Sequence, residues 1–294
     1  MSELDEKYET SLKSIETENF IDRIFYRPIG FRMACMLLRT RVTPNVVTVV
    51  SIFVGASAGY FFHYPDIINN VYGILLLVSA NILDCTDGQL ARLSGRKSSI
   101  GRILDGIAGD VWFISVYVGL AYRLSMQCGS NWFYAVAVVS GLSHLAQAYI
   151  TDYYKTLHLY FISKEKGSEF QSIEQVSARH KAMRPGIYKV FYLLYRFYTL
   201  MQVKATPSLQ RMLGLLSARY GDEIPGEVRI DFRRRSSRLM SYINLMTFNG
   251  RSIVLFIVLF TGYVWVYFVY EIVFLNVILA FTIVKHEKMC ATFL

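Results

Sequence analysis

The apolar residues of this chain are gathered into long blocks, several of which reach the ~20 residues that a helix needs to cross a bilayer. A soluble domain carries roughly a quarter charged residues. Here 18% of the 294 residues are charged and 53% are hydrophobic. The blocks predict an all-α integral membrane protein and exclude an ordinary cytosolic enzyme.

The first block runs from about Val46 to Phe62, the second from about Val71 into a polar stretch at Asp84, the third over Ile103 to Leu124 and the fourth over Trp132 to Tyr149. Between Ser252 and Val284 lies a run too long for one span, with Glu271 as its sole formal charge. A tight external turn at Glu271 divides it in this reading, giving six transmembrane helices with Pro44 near a helix start, where proline is tolerated. Lys and Arg accumulate in cytoplasmic loops. Loops His63–Asn70, Arg123–Ser130 and the Glu271 turn hold one basic residue, Arg123, against thirty of the 31 elsewhere. Both termini are therefore expected on the cytoplasmic side. The net charge of +9 follows this placement and points to membrane lipids, not nucleic acid.

Phe20–Arg41 alternates basic and apolar residues at helical spacing and reads as an interfacial helix. The expected organisation is a cytoplasmic N-terminal segment with that helix (1–42), spans one to four (43–162), a cytoplasmic insertion (163–241), and spans five and six with a short tail (242–294). Within the insertion, Ile187–Gln202 is rich in tyrosine and phenylalanine and reads as a further helix at the interface. Arg233–Arg235 reads as a juxtamembrane anchor to anionic lipid. The N-terminal MSELDEKYETSLKSIETENF has no apolar core and is not expected to be a cleaved signal. Cys35, Cys85, Cys128 and Cys290 lack CxxC spacing, which supports neither a disulfide framework nor zinc.

The informative stretch is NILDCTDGQLARLSGRKSSIGRILDGIAGD, residues 81–110. Asp84, Asp87 and Asp105 fall at the inner ends of two consecutive spans, with Asp110 deeper. Ionisable groups at membrane depth are costly and mark functional sites. Asp84 and Asp87 share a helix face, and Gly88 and Ala91 continue it with almost no side chain. Clustered carboxylates repel unless a cation lies among them, and oxygen ligands select Mg²⁺, Mn²⁺ or Ca²⁺. The plainer alternative pairs these charges with Arg92, Arg96, Lys97 and Arg102 at the helix ends.

The run Asp84-x2-Asp87-Gly88-x2-Ala91-Arg92-x8-Gly101-x3-Asp105 resembles the signature of the CDP-alcohol phosphotransferases. Thr43-Pro44-Asn45-x2-Thr48 resembles the segment that opens the first span of that family. The resemblance implies a six-helix, usually dimeric, Mg²⁺- or Mn²⁺-dependent enzyme that moves a substituted phosphate from a CDP-linked alcohol to a second alcohol and releases CMP. It implies metal ligation by Asp84, Asp87, Asp105 and Asp110, and CDP binding at Asp84, Gly88, Ala91, Arg92 and Gly101. The family's fourth aspartate, the proposed general base, would fall at position 109, where this chain has Gly109 followed by Asp110. Asp110 is expected to serve as base beside Asp105, provided that a π-bulge near Gly106–Gly109 turns it to the carboxylate face.

Lys155 and Arg251, at the cytoplasmic ends of the fourth and fifth spans, suit an anionic acceptor such as inositol phosphate. Ser143, His144 and Gln147 give the fourth span a polar face that also suits a neutral polyol, and His144 reads first as a satisfied interior histidine. The favoured reading is transfer from CDP-diacylglycerol to an inositol-type acceptor. A CDP-aminoalcohol phosphotransferase, or a non-catalytic metal-binding protein on the same scaffold, remains open from the residues alone.

Overall fold

The computed structural model describes residues 3–96, 98–163, 170–221 and 223–294; Lys97 and part of the expected insertion lie outside the described residues. Every regular element among the described residues is helical. The chain divides into two units: residues up to Ala146 with Thr247–Leu275, and Gln147–Met246 with Asn276–Leu294.

In the first unit, α1 (Glu3–Ser11) precedes a π-helical turn (Asp22–Tyr26) and α2 (Arg27–Leu37), so much of the segment 20–41 is helical. Three long apolar helices follow: α3 (Pro44–Phe62), α4 (Ile67–Ser94) and α5 (Ser99–Cys128). Pro44 occupies the first turn of α3, where its missing N–H costs nothing. The side chains of Asp66 and Ser98 cap α4 and α5 by accepting from the amides of Asn69 and Gly101, each at 2.9 Å. Gly95 and Gly129 close the same two helices in the left-handed conformation, which costs glycine least.

α3 and α5 cross closely. A Cβ at Gly59 would strike the Ser115 main chain, and one at Gly119 would strike the Gly59 carbonyl, so small residues are what let these backbones touch. Around the crossing Phe62, Leu77, Trp112, Phe113 and Leu120 form the core of this unit. Val46, Val49, Val50 and Phe53 lie exposed along one stripe of α3, the surface that a helix presents to lipid. At the end remote from the aspartates, Arg123 donates to the carbonyls of Tyr64 and Pro65 and to Asn70 Oδ1, which ties the α3–α4 turn to α5.

α6 (Trp132–Ile162) gives its first half to this unit and its second half to the other. The second unit adds α7 (Ile173–Ala182), α8 (Ile187–Ala205), α9 (Pro207–Tyr220), α10 (Gly226–Ser237) and α11 (Met240–Leu245). Tyr154, Phe161, Met212, Phe232 and Ile243 pack in its core. The Glu287 carboxylate accepts from the amides of Ser208 and Leu209 at 2.6 and 3.3 Å, an acid at a helix N-terminus where the dipole favours it. Within the predicted juxtamembrane triplet, Arg235 and Arg234 both pair with Asp231 and hold its carboxyl below the usual range.

The last part of the chain corrects one expectation. α12 (Phe248–Thr261) ends at Gly262 with φ +81°, and the turn falls there, not at Glu271. α13 (Trp265–Val269), a π-helical turn (Tyr270–Phe274) and α14 (Leu275–Ala291) then run on as one helical stretch. The charge that suggested a turn is 0% exposed because it is neutralised inside the protein. Among the described residues five helices are long and apolar enough to cross a membrane, and α12, at 14 residues, is a shorter apolar helix.

Candidate metal centre and active site

Asp84 and Asp87 sit three residues apart on the last turns of α4, and Asp105 faces them from the second turn of α5. One carboxylate oxygen from each lies within 4.8 Å of the other two. Asp87 is buried, while Asp84 and Asp105 are partly exposed, so the cluster opens on one side. Asp87 Oδ2 is buried without a hydrogen-bond partner, a costly state for a carboxylate oxygen. Three converging carboxylates with an orphaned oxygen fit a hard divalent cation better than they fit one another.

The opening turn of α3 supports this cluster. Thr48, whose hydroxyl donates to the Pro44 carbonyl at 3.1 Å, lies beside Asp87. The Ser98 hydroxyl reaches Asn45 Oδ1 at 3.4 Å. A Cβ at Gly101 would come to 2.6 Å from that same oxygen. Gly101 therefore makes room for Asn45 and leaves no cleft of its own. At Gly88 the nearest neighbour of an added Cβ is the Arg92 guanidinium, 3.3 Å away, and Ala91 is partly exposed on the next turn.

Sequence reasoning missed the N-terminal segment as part of the site. Gln89 donates to Ser11 Oγ at 3.1 Å, and Arg92 Nε donates to the Ser11 carbonyl. Glu18 pairs with Arg27 at 3.1 Å. Lys13 and Arg27 both act electrostatically on Asp84. Alternating charge in residues 1–20 carries no periodic signal of such packing; Arg92 was legible, its partner was not.

Asp110 departs from expectation. α5 keeps α-helical geometry through Gly106–Gly109, without the anticipated π-bulge. A residue five places on lies about 140° round such a helix. Asp110 is accordingly outside the group of Asp84, Asp87 and Asp105; its Oδ1 stands 3.4 Å from His144 Nε2. His144 Nδ1 lies 3.0 Å from the Tyr117 hydroxyl and 3.9 Å from Glu271 Oε1. The π-turn that carries Glu271 thus aims its carboxylate inward, where it pairs with Arg251. Arg251 is 1% exposed and lies over the Phe113 ring. It is committed to Glu271 and does not present its charge to an incoming acceptor, as its place at a span end had suggested. Lys155 belongs to the second unit and is partly exposed.

Positions 106 and 109 are open: a Cβ added at Gly106 or Gly109 meets nothing within 4 Å. Position 109 is about 40° round the helix from Asp105, on the carboxylate side.

Comparison with known proteins agrees with this geometry. The CDP-alcohol phosphatidyltransferase family model matches residues 41–171. An archaetidylinositol phosphate synthase from Pyrococcus horikoshii is 33% identical over 90 residues, 31% of this chain and 46% of that protein. The chain thus matches less than half the length of that relative. Residues 41–171, which hold the aspartate cluster and the helices that present it, are thus similar to the CDP-alcohol phosphatidyltransferase family over somewhat less than half of the chain.

Proposed function

We propose that this protein is a metal-dependent transferase of phospholipid biosynthesis. It moves a phosphatidyl-type group from a CDP-linked lipid to a polar alcohol of the inositol phosphate or inositol kind and releases CMP. The observation that carries this reading is the convergence of Asp84, Asp87 and Asp105 within 4.8 Å. The acceptor class is supported by the similarity to an archaetidylinositol phosphate synthase.

Asp84, Asp87 and Asp105 would hold Mg²⁺ or Mn²⁺. When bound, the ion polarises the phosphoryl oxygens and offsets the charge that develops on departing CMP. The acceptor oxygen forms a bond to the lipid-linked phosphorus as the bond to CMP breaks. With Asp110 held by His144, we assign the acceptor's proton to Asp105, the partly exposed carboxylate of α5. Arg92, held by Ser11, supplies positive charge beside Asp87. We place both termini and the site on the cytoplasmic side, a placement that the distribution of Lys and Arg supports.

The reading is tested by supplying purified protein with CDP-diacylglycerol and a panel of alcohols and measuring CMP. Release is expected with inositol phosphate or inositol. Release that instead requires a lipid alcohol and a soluble CDP-aminoalcohol would overturn it.

A further inference from the structure

The expected insertion carries α8, whose nineteen residues include Lys189, Arg196 and Lys204 and which is not among the described helices apolar enough to cross a membrane. Its two faces differ sharply. Tyr192, Thr199 and Gln202 are buried at 4, 4 and 3% exposure. On the opposite face Val190, Leu193, Phe197 and Met201 are 58, 47, 55 and 41% exposed. These four recur at spacings of three and four, so they form one apolar stripe.

The buried face is fastened to α6. Gln202 donates to the Tyr149 carbonyl at 2.8 Å, Tyr198 donates to Asp152 at 2.5 Å, and the Tyr149 and Tyr198 rings meet edge-on at 4.4 Å. Tyr149 and Asp152 lie where α6 has run about twenty residues, the length of a bilayer crossing. The anchorage therefore sets α8 at the level where a span leaves the hydrocarbon.

Charge identifies what covers the stripe. Between Gln175 and Gly221 the chain has eight Lys or Arg and no Asp or Glu. Lys181, Arg184 and Lys204 are exposed around the ends of α8. An apolar stripe bordered by exposed cations matches an anionic leaflet, with acyl chains for the stripe and headgroups for the cations.

We propose that α8 lies in the plane of an anionic leaflet with Val190, Leu193, Phe197 and Met201 buried among the acyl chains. The insertion is thereby held on the membrane surface independently of the catalytic fold.

The full-length protein carrying Phe197→Cys, with Cys35 and Cys128 replaced by serine, is labelled with an environment-sensitive fluorophore. It is reconstituted in phosphatidylcholine–phosphatidylglycerol vesicles; Leu193→Cys provides a second site. Blue-shifted emission, loss of intensity with spin-labelled lipid and indifference to iodide are expected at both. Quenching by iodide without quenching by lipid would overturn the proposal. So would a probe shielded from both quenchers that cross-links to a second copy, which would make the stripe a contact between copies.

Discussion

Asp110 gives its carboxylate to His144, Oδ1 to Nε2 at 3.4 Å, and not to the aspartate pair of α4. Behind His144 stand Tyr117 and the Arg251–Glu271 pair, so four membrane segments share one buried polar network. From that position Asp110 is expected to act in packing rather than at the reacting phosphate. Asp110→Asn preserves a hydrogen-bonding group of the same shape, and kcat for CMP release should stay within about threefold of wild type, well short of the about 10²–10⁴-fold that a positioned base contributes. A fall of that larger size would return Asp110 to the base role.

Position 109 offers the opposite test. An added Cβ there meets nothing within 4 Å, and the position shares the carboxylate side of α5. Gly109→Asp restores the family spacing without a clash. It should raise kcat toward the about 10²-fold that a positioned base can add, with little change in KM for the CDP-linked lipid. An unchanged or lower kcat would show that proton transfer does not limit the reaction.

Arg251 is expected to matter for stability. Removing one partner of a buried ion pair costs about 3–5 kcal/mol, so Arg251→Ala should lower the unfolding temperature in detergent markedly. The double variant Arg251→Met, Glu271→Leu should recover much of the loss, because it leaves no charge buried alone. A stable Arg251→Ala whose sole defect is a raised KM for a phosphorylated acceptor would contradict the structure and support an acceptor contact.

The N-terminal segment should contribute to the site despite lying outside the matched domain. Deleting residues 1–12 removes Ser11 from Arg92 and Gln89. KM for the CDP-linked lipid should rise while the six-segment fold persists, as measured by CMP release and by thermal unfolding in parallel. Unchanged kinetics would confine Ser11 to packing.

What the sequence made legible follows from the range over which each interaction acts. The spans, the Pro44 start of α3 and the Asp84–Asp87 face are written in local periodicity and in fixed gaps. Asn45 and Thr48 appeared as part of a motif, and the structure gives each a neighbour, since Thr48 lies beside Asp87 and Asn45 meets Ser98 and Gly101 at the start of α5. Glu271 misled because a single charge in an apolar run reads as a surface break, and Arg251, twenty residues away, hides that it is paired inside. The π-turn was expected in α5 beside two glycines and is found at Tyr270–Phe274, where it aims Glu271. Neither the Ser11–Arg92 contact nor the His144–Asp110 contact has a local signature, because each joins segments that meet only in the folded chain.

The central claim is that Asp84, Asp87 and Asp105 bind a divalent ion that CMP release requires. It is tested most directly by titrating purified, EDTA-treated protein with Mn²⁺ by paramagnetic resonance while CMP release from CDP-diacylglycerol is followed on the same sample. Metal binding and CMP release should rise together in the wild type. In Asp87→Asn, Mn²⁺ should bind at least about tenfold more weakly, since losing even an outer partner of a metal ligand costs 10–100-fold, and CMP release should be lost while the fold is retained. Full CMP release from the metal-free protein, or wild-type turnover by Asp87→Asn, would contradict the account.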